Sequence, residues 1–191
     1  MPRGIARDHD QKRAAIRKGA AAYFATHGFD RASMTGAARQ CGVSKALIYH
    51  YYDSKEALLF DILDAHLTEL VEAARTVKVE DGLGALVCSI LETYEDADAE
   101  HKLQLDALSI LPEDQQKPLI ALQRELVDMM SDALVREAPA LAGTDKLRPV
   151  TMSVFGILNW FYMWHRPGRG LGRKGYAKLA TDMVLNGITR L

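Results

Sequence analysis

Several common signatures of function are missing from this chain. Its 191 residues include only two cysteines, Cys41 and Cys88, with no CxxC spacing and no histidine cluster beside either. That excludes a disulfide framework and a cysteine-rich metal centre, and both thiols read as small buried side chains. The most apolar stretch, "SVFGILNWFYMW" (153–164), is too short to span a bilayer and is interrupted by Asn159. The opening "MPRGIARDHDQKRAA" lacks the apolar segment of a secretory signal, so a cytoplasmic location without membrane attachment is the expectation. There is no HExxH and no paired Glu-x-x-His. The acidic stretch "YEDADAEH" (94–101) stands alone and reads as a helix end and a turn, so neither a catalytic set, a metal site nor a cofactor is predicted. No internal repeat or low-complexity tract interrupts the chain.

What is present is apolar content of 48 %, enough for a packed core, and an uneven charge distribution. Net charge is −1 overall, yet residues 1–56 hold ten Lys/Arg against five Asp/Glu, while residues 57–191 hold fourteen against twenty. A basic segment followed by an acidic body is the asymmetry expected of a polyanion binder.

Nearly every segment has helical periodicity, and no strand is predicted. Ile16, Ala20, Tyr23, Phe24 and His27 share one side of a first helix, with Lys12, Arg13, Arg17 and Lys18 on the other and Gly28 as its stop. Ser33 caps a short second helix over Met34–Cys41, and Gly42 ends it. Ser44 caps a third over Lys45–Tyr52. Asp53 or Ser54 starts a long fourth helix that runs to about Val77. Amphipathic segments follow at 83–97, 100–110 and 113–137. Then come an apolar helix over 146–165, the glycine-rich loop "RPGRGLG" and a last helix over 173–190.

Two short helices joined by the tight turn "CGVS" behind a longer basic helix form a helix-turn-helix. At 100° per residue, Ile48 and Tyr52 share the core face of the third helix. Ala46, Leu47 and His50 point away from it, and Tyr49 and Tyr51 flank that outward face. A probe entering a major groove about 12 Å wide suits this arrangement. Ala46 and Leu47 allow close approach and contact with a thymine methyl. Lys45 reaches a guanine edge or a phosphate, and His50 donates to phosphate or a base. The two tyrosines present phenol tips to the phosphate walls. Ser44 with the helix-start amides, Thr35 at the start of the second helix, and Lys55 at the start of the fourth complete the set of phosphate contacts.

The stretch "AAYFATHGFDRASMTGAARQCGVSKALIYHYYDSKEALL" (21–59), and within it "GVSK…IYHYY.SKEALL", resembles the TetR/AcrR family of bacterial transcriptional regulators. The resemblance implies an all-α homodimer. Each chain would have an N-terminal three-helix DNA-reading head (1–56) and a C-terminal helical-bundle ligand-binding and dimerisation domain (57–191). It places Thr35, Ser44, Lys45, Ala46, Leu47, Tyr49, His50, Tyr51 and Lys55 at or near double-stranded operator DNA. It implies a non-enzymatic regulator, in the commonest form a repressor released from a palindromic operator by a small-molecule effector. Gly36 departs from the family pattern, where an acidic or other helix-forming residue is usual, and Ala37 stands where a larger aliphatic is common. An interior glycine costs about 1 kcal/mol of helix propensity, so a loose second helix is expected.

In the body, Tyr94, His101, Leu105, Gln123, Leu126, Val127, Met130, Phe155 and Asn159 lie on helices expected to enclose an effector. Trp160, Met163 and Trp164 follow at helical spacing and are too apolar for a free surface, which points to a dimer interface. The segment "GILNWFYMWHRPGRGLGRKGYAKLATDMVLNGI" is similar to the tail of an acyl-CoA-responsive branch of the family. Arg166, Arg169, Arg173 and Lys174 are the cations such a thioester would need for its phosphates. The competing readings are a ligand-independent DNA-binding or architectural protein on the same fold, and a helical-bundle enzyme.

Overall fold

The computed structural model describes residues 3–166 and 168–189, with side chains from residue 7 onward. Helix α1 (Arg3–His27) ends where Gly28 turns into the left-handed region, φ +78°, its N–H still donating to Phe24 O at 2.9 Å. Helix α2 (Met34–Gln40) is capped by Ser33, whose Oγ accepts from Gly36 N at 3.1 Å. Helix α3 (Lys45–Tyr51) is capped by Ser44, which accepts from Leu47 N at 3.1 Å. It stops one residue before the expected end, because Tyr52 adopts an extended backbone. Helix α4 (Lys55–Thr76) takes Ser54 as its cap rather than Asp53: Ala57 N donates to Ser54 Oγ at 3.0 Å. Downstream lie α5 (Gly82–Thr93), α6 (Asp98–Ala107), α7 (Glu113–Glu137), α8 (Leu147–Asn159), α9 (Phe161–Trp164) and α10 (Arg173–Ile188). The expected end of the last helix at 190 lies outside the described residues.

The chain forms two units. The first holds residues up to His66 together with Ala97–Leu119. Here α1 packs on α2 and α6, and α2 packs on α3, around buried Ile16, Phe24, Ile48, Leu58, Ile62 and Leu103. Close approach of α1 and α2 depends on two glycines. A Cβ on Gly19 would sit 2.7 Å from Cys41 Sγ, and one on Gly36 would sit 2.0 Å from Tyr23 Oη. The expectation of a loose second helix is therefore corrected. Gly36 is buried and makes the space into which Tyr23 locks α2 against α1. Helix α6 joins this unit because it packs on α1, so compactness groups it with the head although it follows residue 57 in the chain.

The second unit holds Leu67–Asp96 and the chain from Ile120 on. Helix α10 packs on α5 and on α8. The single helix expected over 146–165 is broken at Trp160. There the chain tightens to an i→i−3 bond, Met163 N to Trp160 O at 3.1 Å, while Trp160 itself stays in the right-handed helical region, φ −83° and ψ −12°. Phe161 is buried, its ring stacked on His165 (4.4 Å between centroids) and packed on Tyr176 (4.8 Å), and Trp160 beside it is exposed. No helix among the described residues is long and apolar enough to cross a membrane.

Candidate nucleic-acid interface

The first unit presents α3 with one face in and one face out. Ile48 and Tyr52 are buried, whereas Ser44, Lys45, Ala46, Tyr49 and His50 are exposed and Leu47 and Tyr51 are half-buried. Thr35 is exposed on the first turn of α2. The face opposite the core thus carries a cation, a small residue, an imidazole and two phenols within two helical turns. Lys45 Nζ lies 5.8 Å from the centroid of the Tyr49 ring, a distance at which the ring face attracts the ammonium and steers it along the outer surface.

What holds α3 in place was not apparent from local sequence pattern. Asp61, on α4, is 8 % exposed and gathers three donors. Arg13 of α1 donates through Nε and Nη2 to its two carboxylate oxygens at 3.0 and 2.6 Å, Tyr52 Oη donates at 2.6 Å, and Arg17 Nη1 reaches it at 3.4 Å. The bidentate fork is the strong form of such a pair. The bond to Asp61 raises Arg13 above its ordinary pKa. Burial, then the Asp61 bond, pushes the Tyr52 hydroxyl well above the usual phenol range, so it stays protonated and donating. One carboxylate therefore ties α1, the end of α3 and α4 together. The signal that could have found it is a lone aspartate in the apolar stripe of α4, between Leu58 and Ile62.

Lys55, expected as a clamp on the DNA backbone, has acceptors within the protein. Its Nζ donates to the carbonyls of Phe29 (2.8 Å), Ala32 (3.2 Å) and Asp30 (3.4 Å), and stands 4.3 Å above the Phe29 ring. It closes the loop between α1 and α2.

Of the candidate effector residues, Tyr94 and Asn159 are brought together in the second unit, Tyr94 Oη donating to Asn159 Oδ1 at 2.9 Å. Burial raises the Tyr94 hydroxyl above its ordinary pKa. Leu126, Met130 and Phe155 are buried in the same unit, with Gln123 and Val127 half-buried. His101 and Leu105 belong to the other unit; the first is buried and the second half-exposed. Three of the four cations offered for a thioester's phosphates have protein partners. Arg166 donates to His165 O at 2.9 Å, Arg173 lies 5.2 Å over the Phe161 ring, and Lys174 pairs with Glu92 at 3.1 Å. Trp160, Met163 and Trp164 are exposed on the single chain, as are Met152 and Met183.

A capped, outward-facing short helix held behind a second short helix and a basic first helix defines a helix-turn-helix DNA-binding protein. Residues 16–62 match the family model of the bacterial regulatory proteins of the tetR family, and residues 76–188 match that of the tetracyclin repressor-like C-terminal domain. The chain belongs to the TetR family of transcriptional regulators. It is similar to a TetR-family regulator from Bordetella parapertussis 12822, with 36 % identity, 94 % of this chain and 96 % of that chain covered, and a TM-score of 0.85. It is also similar to the HTH-type transcriptional repressor KstR2 of Rhodococcus jostii (strain RHA1), 27 % identical over 184 residues, 88 % of this chain and 87 % of that protein. The structure of AibR in complex with isovaleryl coenzyme A and operator DNA shares the fold, with 23 % identity, 91 % and 96 % coverage and a TM-score of 0.73. Membership places the chain among DNA-binding regulators rather than enzymes.

Proposed function

We propose that this regulator is a cytoplasmic homodimeric repressor that leaves a palindromic operator when a small molecule occupies its C-terminal domain. The observation that carries the operator reading is the outward face of α3, with Lys45, Ala46, Tyr49 and His50 exposed on a helix whose opposite face is locked into the core. Two such helices must sit about 34–36 Å apart to enter successive major grooves. The functional division is a DNA-reading part over 1–56 and a ligand-binding and dimerisation part over 57–191.

Helix α4 supports the release step. It is one uninterrupted helix, 22 residues long, whose start carries Asp61 of the DNA-binding unit and whose end belongs to the second unit. An effector that binds differently to two positions of α4 changes operator affinity. The Tyr94–Asn159 pair supports an effector region in the second unit with a polar handle among apolar side chains. An acyl-CoA thioester is the first candidate, supported by the fold shared with AibR, whose structure holds isovaleryl coenzyme A.

The test starts from a duplex selected out of a random-sequence pool by the full-length protein. Anisotropy at two salt concentrations should show tight, salt-sensitive binding to it and weak binding to a scrambled duplex, with Lys45→Ala and Tyr49→Ala weakening only the former. Equal binding to both duplexes would overturn the operator reading. Release of the selected duplex by isovaleryl-CoA but not by isovalerate supports the thioester; release by the free acid alone would overturn it.

A further inference from the structure

Helix α1 is longer than its core needs. Its first buried side chain is Ile16, and residues 7–15 are all exposed, a projection of about 13 Å at 1.5 Å per residue. Among the described residues, two long-range side-chain contacts of this projection stand out. One is the Arg13–Asp61 fork. The other is a ring contact: the His9 imidazole lies 4.7 Å from the Tyr51 ring, centroid to centroid, with 35° between the planes. Tyr51 also meets the His50 ring edge-on at 5.5 Å. Tyr51 thus touches two imidazoles, one from its own helix and one from α1. The surrounding charges on α1 are largely balanced within the helix. Asp8 pairs with Lys12 at 2.7 Å, and Asp10 Oδ1 lies 3.8 Å from His9 Nδ1.

We propose that His9 is a positioning residue for operator recognition, holding the Tyr51 phenol in the orientation in which its hydroxyl meets a DNA phosphate. The inference rests on the reading of α3 as the operator-contacting helix. A phenol on a helix flank swings about two side-chain torsions. A ring packed on its face removes that freedom before binding, so less ordering is left to be done on the DNA. His9 needs only its flat ring for this, and its side chain is 51 % exposed, so the fold does not depend on it.

Operator affinity of the full-length protein for the selected duplex tests this with four variants. Tyr51→Phe removes the hydroxyl and is expected to weaken binding about tenfold, the scale of one hydrogen bond to a charged group. His9→Ala is expected to weaken it roughly threefold or more, by restoring a free rotor. His9→Phe, which keeps a ring on Tyr51, should bind as the parent does. The pair His9→Ala with Tyr51→Phe should bind no more weakly than Tyr51→Phe alone, since a freed ring without its hydroxyl has nothing left to aim. Full additivity, or a His9→Phe loss equal to that of His9→Ala, would overturn the proposal and make the imidazole itself the contact. An unchanged His9→Ala beside a weakened Tyr51→Phe would overturn positioning alone. An unchanged Tyr51→Phe beside a weakened Lys45→Ala would overturn the role given to Tyr51, and the proposal with it.

Discussion

Tyr52 donates its hydroxyl hydrogen to Asp61 at 2.6 Å, nine residues further along the chain and on a different helix. Tyr52 is the residue at which α3 stops, and Asp61 also receives the Arg13 fork. The end of α3 is therefore fixed by a charge on α4. Asp61→Ala leaves a buried phenol and a guanidinium without their acceptor, with an expected cost of about 2–4 kcal/mol in urea unfolding. Tyr52→Phe should cost about 1–3 kcal/mol. The double substitution should cost less than the sum of the two, because both remove the same bond. Strict additivity would mean that the hydroxyl and the carboxylate do not act on each other in solution.

Gly36 gives a second prediction, of opposite sign to the one helix propensity makes. Alanine in an exposed helix interior would stabilise by about 1 kcal/mol. Here the added methyl meets the Tyr23 phenol, whose Oη, Cζ and Cε1 lie 2.0, 2.4 and 2.9 Å from the Cβ position. Tyr23 must swing out, giving up its stack on His27. Gly36→Ala should lower stability by about 1–3 kcal/mol, the usual cost of overpacking. Trimming the ring, as in Gly36→Ala with Tyr23→Leu, should recover part of that loss. A melting temperature at or above the parent's in Gly36→Ala alone would show that the ring moves aside freely.

These two contacts mark where sequence reading reaches its limit. The caps at Ser33 and Ser44 are legible because an N-cap bond spans three residues, and the side chain that makes it names itself. The burial of Ile48 and the exposure of Ala46 and His50 follow from the 100° step, whereas Tyr52 is buried on extended backbone past the end of α3, where that step no longer applies. The Tyr52–Asp61 bond and the Tyr23–Gly36 fit join different helices, and periodicity within one helix says nothing of what faces it. The choice of Ser54 over Asp53 as cap turned on a one-residue difference in where the helix begins. The break at Trp160 has no proline or glycine at the break itself to announce it. Its neighbour Phe161 packs against His165 and Tyr176, which lie outside that helix and outside its periodicity.

The pH dependence of stability should carry the mark of His66. This residue is buried on α4, its ring 6.0 Å from that of His101. Burial, then repulsion from His101 and Lys18, pushes its pKa down from 6.5 to about 3. The folded protein keeps His66 neutral where the unfolded chain protonates it. Stability is thus fully present above pH 6.5 and is lost as pH falls from there toward 3. The slope from one such group is about 1.4 kcal/mol per pH unit, so pH 5 should cost about 2 kcal/mol relative to pH 7.5. His66→Gln carries no proton to take up, and its unfolding free energy should fall less over the same interval. Parallel curves for the two proteins would mean that His66 is hydrated enough to titrate normally.

The apolar surface of the second unit leads to the last prediction. On the single chain Trp160 is 61 % exposed and Met183, on α10, is 60 % exposed, with Met152, Trp164 and Leu179 also outside. Between α8 and α10 runs an apolar trough lined by Pro149, Val150, Val154, Ile157 and Met183. Scattered exposed apolar residues need no explanation, but two tryptophans and three methionines on neighbouring elements of one unit form more apolar surface than scatter accounts for. A second copy is the occupant that the palindrome reading requires, since a two-fold operator demands a two-fold protein. Light scattering should give a dimer for the parent and a monomer for Met183→Asp with Trp160→Asp, with helical circular dichroism retained because neither side chain is in the core. The monomer keeps α3 intact but engages one half-site at a time. Its affinity for the full selected duplex should therefore fall by about 10²-fold or more, while its affinity for a single half-site duplex stays that of the parent's head. A variant that remains dimeric would place the interface on another face. One that becomes monomeric and still binds the full duplex tightly would mean that a single head suffices, and the palindrome reading would fall.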